Sequence, residues 1–201
     1  MLRVLKEEKK IVRKPLVIGI GGPTGSGKST FTNMLHQQLK EYKVQIISLD
    51  QYFKRPLPKT MAPFTGKEYE DFNHPDSIDW EAVMNQIQIS LQASIDILVI
   101  EGLLVLYSPE IRTFLDLKIY MDLEAEERMY RRIKRNMAMR GWTLEEIADY
   151  YLDSVRFRER EFVLPTKWYS DLILNGGQFE EKALPVVTLW IKSNVQAAYK
   201  E

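Results

Sequence analysis

One short segment combines glycines, a lysine and hydroxyl side chains at a spacing suited to phosphate binding. The pattern G-x-x-x-x-G-K-[ST] is met by Gly22, Gly27, Lys28 and Ser29. Glycines let backbone N–H groups turn towards an anion, while Lys28 is predicted to reach the β and γ phosphates and Ser29 to help hold Mg²⁺. A plain glycine-rich turn would need neither the lysine nor the hydroxyl. The predicted phosphate-binding residues are Gly22, Pro23, Thr24, Gly25, Ser26, Gly27, Lys28, Ser29 and Thr30.

Two acidic residues follow predicted strands. Asp50 comes directly after the apolar run 44–49, and Glu101 directly after 95–100. In an open parallel sheet, ligands bind beyond the carboxyl ends of the strands, which would place both side chains beside the phosphate-binding loop. Asp50 could then accept the proton of a hydroxyl that attacks a phosphate, and Glu101 could hold Mg²⁺ directly or through water. The alternatives are a turn cap at Asp50 and a buried structural glutamate at Glu101.

A predicted helix over 125–139 carries several arginines on one face. Phosphoryl transfer needs cations around the developing charge, so the helix is predicted to form part of a lid over 124–142. The alternative is a solvated face paired with nearby glutamates. A second arginine cluster alternates with glutamates and is predicted to lie on the surface. The arginines at i, i+3, i+4 and i+7 are Arg128, Arg131, Arg132 and Arg135, Arg140 ends the lid, and the surface cluster is Arg156, Arg158 and Arg160.

The elements that must position these residues alternate between strand and helix. Apolar runs predict strands at 16–20, 44–49, 95–100, 117–121 and 171–174, and helical spacing predicts helices at 31–39, 79–93, 125–139, 143–162 and 179–199. Such alternation favours a doubly wound α/β fold with a parallel sheet of about five strands. The chain is predicted to be one domain over 1–201, with a core at 15–178. The proline-containing stretch 51–77 is predicted to be a functional loop, since its five aromatic residues argue against disorder.

The amino-acid composition excludes several classes of function. Lysine and arginine equal aspartate and glutamate at 28 each in the 201 residues, so no overall signal for a nucleic-acid partner exists. The absence of cysteine excludes disulfides and thiol catalysis, and two histidines are too few for a histidine-rich metal site. The charged stretch 1–14 is unlike a secretory signal, and no run is long enough for a membrane span. A cytoplasmic protein with small-molecule partners is therefore expected.

Six motifs in order resemble the uridine kinase and phosphoribulokinase group of P-loop small-molecule kinases, over about residues 15–178. The motifs are 21–30, Ser-Leu-Asp-Gln-Tyr-Phe (48–53), Phe-Asn-His-Pro-Asp-Ser-Ile-Asp (72–79), 101–107, 131–141 and 164–174. The resemblance implies transfer of the ATP γ-phosphate to the 5′-hydroxyl of a ribonucleoside with Mg²⁺, uridine or cytidine first. It also leaves a homo-oligomer open, because members of this family form tetramers.

The resemblance assigns roles by position. Asp50 matches the catalytic aspartate, with Lys28 and Arg132 acting on the phosphates. Arg135 and Arg140 match lid arginines around ATP. The acceptor-binding positions are Asp50, Tyr52, Phe53, Phe72, Asn73, His74 and Arg132, and the metal-binding positions are Ser29 and Glu101.

Several departures bear on the acceptor. Asn73 stands where uridine kinases have an aspartate that holds the ribose, Trp142 replaces a lid arginine, and Tyr150 replaces a glutamine that can touch the base. The connection from Trp80 to Glu101 also lacks the hairpin that holds the pyrimidine in uridine kinases. Nicotinamide riboside kinases lack it too, so nicotinamide riboside or another small alcohol is the alternative acceptor. An ATP-binding regulator without catalysis is the alternative from another class.

Overall fold

The computed structural model describes residues 14–198, and five parallel strands form its central sheet in the order β2-β5-β1-β6-β7. This confirms the predicted doubly wound α/β class, and each predicted strand is present with ends shifted by at most two residues. The strands are β1 Leu16–Gly21, β2 Val44–Ser48, β5 Ile97–Glu101, β6 Leu117–Asp122 and β7 Leu172–Asn175, and a separate antiparallel hairpin pairs β3 Lys59–Met61 with β4 Glu68–Glu70.

Helices cover both faces of the sheet. The apolar side chains of β1 alternate between the two cores that these helices form with the sheet. Val17 packs in the core shared with helices α2 (Trp80–Gln92) and α3 (Pro109–Phe114), whereas Ile18 and Ile20 pack in the core shared with α1 (Lys28–Gln38) and α7 (Ala183–Ala198). These side chains are completely buried. The helices are α1 Lys28–Gln38, α2 Trp80–Gln92, α3 Pro109–Phe114, α4 Ala125–Arg140, α5 Leu144–Tyr150, α6 Arg156–Arg158 and α7 Ala183–Ala198.

Side chains cap the starts of two helices. The Asp79 carboxylate accepts a hydrogen bond from the Ala82 N–H at 3.0 Å, at the start of α2. Thr143 and Glu146 form a reciprocal capping box at the start of α5. Gly141 ends α4 in the left-handed conformation, with φ of 66°.

The helix predicted over 143–162 is helical but not regular. Two π-helical turns, Tyr151–Val155 and Glu159–Val163, flank α6. The prediction of a surface arginine cluster is wrong at Arg158, which pairs with buried Asp71, while Arg160 is exposed. A π turn adds a residue to the helix and so changes the direction of the side chains that follow it.

The stretch 51–77 contains more regular structure than its sequence indicated. Besides the hairpin β3–β4, it includes the short 3₁₀ turn Pro75–Ser77 and the end of another, Leu49–Tyr52. The hairpin is held against the first π turn, since Thr65 Oγ1 and Tyr69 Oη donate to the Asp153 carboxylate at 2.7 and 3.0 Å. Strands of three residues carry too few side chains for a period-two pattern to appear.

Residues 1–13 and Tyr199, which bear on the N-terminal prediction and on the end of the last helix, lie outside the described residues. Among residues 14–198, no helix has the length and apolarity needed to cross a bilayer.

Candidate active site

A cleft of about 400 Å³ opens beyond the carboxyl ends of β1, β2 and β5. Its walls come from the phosphate-binding loop, the turn after β2, and helix α4 with Tyr150 of α5. The cleft brings together most residues predicted for the site. Those that line it are Thr24, Gly25, Gly27, Lys28, Ser29, Thr30, Asp50, Phe53, Phe72, Asn73, Glu101, Arg132, Arg135 and Arg140.

The phosphate-binding loop needs its glycines for backbone geometry. Gly25 and Gly27 have φ of 79° and 96°, in the left-handed region that favours glycine. A Cβ on Gly22 would lie 2.4 Å from the Met121 carbonyl oxygen. Helix α1 begins at Lys28, so its first N–H groups and its positive end face the cleft, as an anion site requires.

Lys28 lies at the base of the cleft, where its ammonium group donates to the Pro23 carbonyl at 2.9 Å. Burial lowers the pKa of Lys28 from its ordinary value of 10.5, and the nearby Glu101 and Asp50 carboxylates oppose that effect. An incoming phosphate would add negative charge here and favour the protonated lysine.

Glu101 is buried at the end of β5 and holds two hydroxyls. Ser48 Oγ donates to its Oε1 at 2.6 Å, and Ser29 Oγ donates to its Oε2 at 3.3 Å. The Ser29 hydroxyl and the Glu101 carboxylate are hard oxygen donors, the type that Mg²⁺ prefers. Both lie beside Lys28, where nucleotide phosphates would supply further oxygen ligands. The residues present therefore fit a Mg²⁺ ion bound with ATP.

Asp50 lies in the 3₁₀ turn after β2 and lines the cleft with its side chain exposed. It forms no hydrogen bond or ion pair with any described residue, whereas a capping aspartate would accept backbone N–H groups. The capping alternative therefore has no contact to support it, and the carboxylate is free to meet a ligand.

The far end of the cleft is formed by two aromatic rings and the side-chain amide of Asn73. Phe53 and Phe72 meet edge to face with ring centroids 5.3 Å apart. Asn73 is buried, and its Nδ2 donates to Tyr150 Oη at 3.5 Å, while that hydroxyl donates to the Glu70 carbonyl at 3.0 Å. Burial raises the pKa of Tyr150 to about 12, so its hydroxyl stays protonated at neutral pH and can donate a hydrogen bond.

The predicted lid arginines separate into two groups. Arg132, Arg135 and Arg140 line the cleft, and the Arg132 guanidinium lies over the Tyr150 ring at 5.4 Å from its centroid. Arg132 is buried and its Nε has no hydrogen-bond partner among the described residues. Burial lowers the pKa of Arg132 and of Arg135, so an anion in the cleft would relieve an unfavourable charge.

The other two arginines of that helix face bind protein groups. Arg131 Nη1 donates to the Gly176 carbonyl at 3.0 Å and also borders the cleft. Arg128 forms a buried ion pair with Glu159 at 2.8 Å. The common helix face therefore does not give all four arginines a common role.

Five of the predicted site residues do not line the cleft. Gly22, Pro23 and Ser26 lie within the loop backbone, where they shape it. Tyr52 packs against the apolar core. His74 Nδ1 accepts the Asp76 N–H at 3.1 Å, and its ring meets Phe162 edge to face, so its visible contacts are structural.

Some residues that line the cleft were not predicted from the sequence. Asn136 is buried and lies one helical turn after Arg132, so the i+4 spacing that linked the arginines could have identified it. Ile78 and Leu104 add apolar surface. No local pattern distinguishes these two from other core residues.

Two family models and several known proteins match this sequence. The model of the phosphoribulokinase/uridine kinase family matches residues 81–181, and that of the KAP family P-loop domain matches residues 4–123, which contain the phosphate-binding loop. The chain is 30% identical to a uridine kinase of Clostridium botulinum (strain Okra / Type B1), over 92% of this chain and 100% of that protein. A uridine kinase of Lactobacillus helveticus (strain DPC 4571) is 31% identical, over 90% and 96%.

Solved structures share the fold at lower identity. One titled as a possible uridine kinase from Bacillus stearothermophilus superposes with a TM-score of 0.54 at 19% identity, over 81% of this chain and 89% of that one. TT1252 from Thermus thermophilus gives 0.53 at 22% identity, over 89% and 98%. With a family model over half of the chain and uridine kinases aligned along nearly all of it, the chain belongs to the phosphoribulokinase/uridine kinase family of P-loop kinases.

Proposed function

We propose that this kinase transfers the γ-phosphate of ATP to the 5′-hydroxyl of a pyrimidine ribonucleoside, uridine or cytidine, as a step of nucleoside salvage. The observation that carries the proposal is the Asp50 carboxylate, which has no partner among residues 14–198 and lies in the same cleft as the phosphate-binding loop and the lid arginines. The names of the relatives supply the choice of acceptor, because uridine kinases align along more than nine-tenths of the chain.

The chemistry follows from where each group lies. The Asp50 carboxylate accepts the proton of the attacking hydroxyl as its oxygen bonds to the γ-phosphorus, and the bond from that phosphorus to the bridging oxygen of ADP breaks. Lys28 and the loop N–H groups hold the β and γ phosphates. Arg132 adds positive charge from the lid, where transferred charge accumulates.

Mg²⁺ bound with the nucleotide would neutralise phosphate charge and orient the γ-phosphate for in-line attack. Ser29 and Glu101 would hold it, with Ser48 fixing the carboxylate from behind through a 2.6 Å hydrogen bond. In this arrangement Ser48 binds one Glu101 oxygen, and the other oxygen lies beside Ser29, the second proposed ligand.

The acceptor would occupy the end of the cleft formed by Phe53, Phe72 and Asn73. Aromatic faces stack on a planar base, each good stack contributing about 1–3 kcal/mol. The Asn73 carboxamide can hydrogen-bond a ribose diol, without the charge that an aspartate would provide. Its buried position beside Tyr150 keeps that amide in one place.

ADP release from Mg·ATP tests the proposal, measured with uridine, cytidine, nicotinamide riboside, adenosine, pantothenate, glycerate and ribulose 5-phosphate as acceptors. Acceptor-dependent turnover with uridine or cytidine is expected. Turnover with another acceptor alone would keep the kinase mechanism and replace the acceptor. ATP binding without turnover by any of them would contradict the proposal and favour a regulator that binds ATP without catalysis.

A further inference from the structure

Two neighbouring residues of opposite charge, Arg158 and Glu159, reach two different loops of the cleft. Arg158 ends α6 and Glu159 begins the second π turn. We propose that they are positioning residues for separate substrates: Glu159 holds the phosphate-binding loop for ATP, and Arg158 holds the acceptor-binding loop. The assignment of the acceptor side rests on the proposed function.

The Glu159 contact is buried and specific. Its side chain is 2% exposed, and its Oε1 accepts the Thr24 N–H at 3.2 Å. Arg128 Nη1 donates to both Glu159 oxygens at 2.9 and 2.8 Å and to the Thr24 carbonyl at 3.2 Å. Both backbone groups of Thr24 are therefore bound by one ion pair, which fixes the loop before any phosphate arrives.

Gly25, which follows Thr24, packs against helix α4, the helix that carries Arg128. A Cβ at this position would lie 2.8 Å from the Arg128 carbonyl oxygen, so the loop backbone packs directly against the start of α4. A shift of Glu159 would release Thr24 and the loop N–H groups that follow it. The expected consequence is weaker binding of nucleotide phosphate.

The Arg158 contact lies on the acceptor side. Its Nε donates to the Asp71 carboxylate at 2.7 Å, and its Nη2 donates to Thr60 Oγ1 at 3.1 Å. Asp71 is 1% exposed, and its other oxygen accepts the N–H groups of Asn73 and His74 at 3.1 and 3.0 Å. Asp71 thus shapes the turn that presents Phe72 and Asn73 to the cleft, and Arg158 compensates its charge.

The short helical segment that contains Arg158 and Glu159 therefore contacts both loops, one through each residue. The spacing of charged residues in the sequence does not distinguish Arg158 and Glu159 from their neighbours. Arg160 and Glu161 have the same charges and are exposed. Successive residues of a helix point about 100° apart, so the Glu159 side chain reaches the phosphate side and the Arg158 side chain reaches the acceptor side.

Substitution at each residue tests the proposal through separate binding constants. Glu159→Gln is expected to raise the Kd for Mg·ATP, measured by calorimetry without acceptor, by about tenfold, with the KM of the acceptor within about twofold of wild type. Arg158→Met is expected to do the reverse, raising the acceptor KM by about tenfold and leaving the ATP Kd unchanged. Glu145→Gln and Arg160→Met, which neutralise exposed residues of α5 and of the second π turn, are the matched controls.

Equal changes in both constants, or no change in either, would overturn the proposal. Glu159→Asp guards against loss of folding, since it keeps the buried charge beside Arg128 but withdraws it from Thr24, and it is expected to weaken ATP binding while the protein stays folded. Thermal unfolding shows that each variant is folded. Wild-type protein that binds ATP but phosphorylates no acceptor would contradict the proposed function alone, because the ATP Kd of the Glu159 variants still decides the role of that residue.

Discussion

The Ser29 hydroxyl donates a hydrogen bond to the Glu101 carboxylate at 3.3 Å, across the 72 residues that separate them in sequence. This contact joins the end of the phosphate-binding loop to the end of β5. Both strands that lead into it, β1 and β5, pair in parallel with Ile20 opposite Glu101. The sheet register therefore places Glu101 beside the strand that leads into the loop before Ser29.

Glu101→Gln is expected to raise the Mg²⁺ concentration for half-maximal activity by about 10- to 100-fold, because an amide replaces an anionic oxygen donor. A titration of activity with Mg²⁺ at fixed ATP measures this. Ser48→Ala, which removes only the hydroxyl behind the carboxylate, is expected to have a smaller effect. An unchanged Mg²⁺ requirement in Glu101→Gln would remove this residue from the proposed metal site.

Asp50→Asn is expected to lower kcat by about 10²- to 10⁴-fold and to leave the Kd of Mg·ATP largely unchanged, since only the proton acceptor is lost. Steady-state ADP release and calorimetry measure the two quantities. Asp76→Asn is the control, because Asp76 is exposed and lies outside the cleft. Equal turnover in wild type and Asp50→Asn would show that another group accepts the proton.

Tyr150→Phe tests the hydroxyl that links Asn73 to the hairpin. Its removal leaves the Asn73 amide without that partner, so the acceptor KM is expected to rise several-fold at unchanged ATP KM. The stability cost is expected to be about 1 kcal/mol, typical of one neutral hydrogen bond. Tyr130→Phe, on an exposed ring of α4, provides the comparison. A rise in the ATP KM alone would place Tyr150 with the nucleotide instead.

Lys28 gives a pH dependence with a defined sign. Its pKa is lowered from 10.5 in the folded chain, mainly by burial, so the unfolded chain binds more protons between the two pKa values. Stability therefore rises with pH in that window, and the penalty for burying the charge is present at lower pH. Compared with Lys28→Met, wild type is expected to gain stability as pH rises towards 10.5.

Urea unfolding of both proteins between about pH 7 and pH 10 measures that difference. Groups other than Lys28 titrate in both proteins and cancel in the comparison. A difference independent of pH would show that Lys28 keeps its ordinary pKa in the folded chain, and the opposite trend would show that folding raises it.

The parts of the fold that sequence could predict depend on local patterns. The run Leu16–Gly21 and the glycines that follow it identify a strand and a phosphate-binding loop without reference to the rest of the chain. Residues that follow strands, such as Asp50 and Glu101, then converge because parallel strands share one carboxyl edge.

What sequence could not predict depends on pairings between distant segments. Asp71 and Arg158 are 87 residues apart, and their contact joins the turn before Phe72 to a segment that follows the π turn Tyr151–Val155. An alternating series of arginine and glutamate reads as solvated surface when only its spacing is considered. The fold reverses that reading for Arg158 and Glu159, whose partners come from other elements.

The Arg128–Glu159 ion pair is expected to show strong non-additivity in stability. Arg128→Met leaves a carboxylate 2% exposed without its cation, and breaking such a buried pair costs about 3–5 kcal/mol. The double variant Arg128→Met/Glu159→Met removes both charges and is expected to lose less than the sum of the single variants. Chemical unfolding of the four proteins gives the coupling. Additive losses would mean that water reaches the pair and compensates each charge separately.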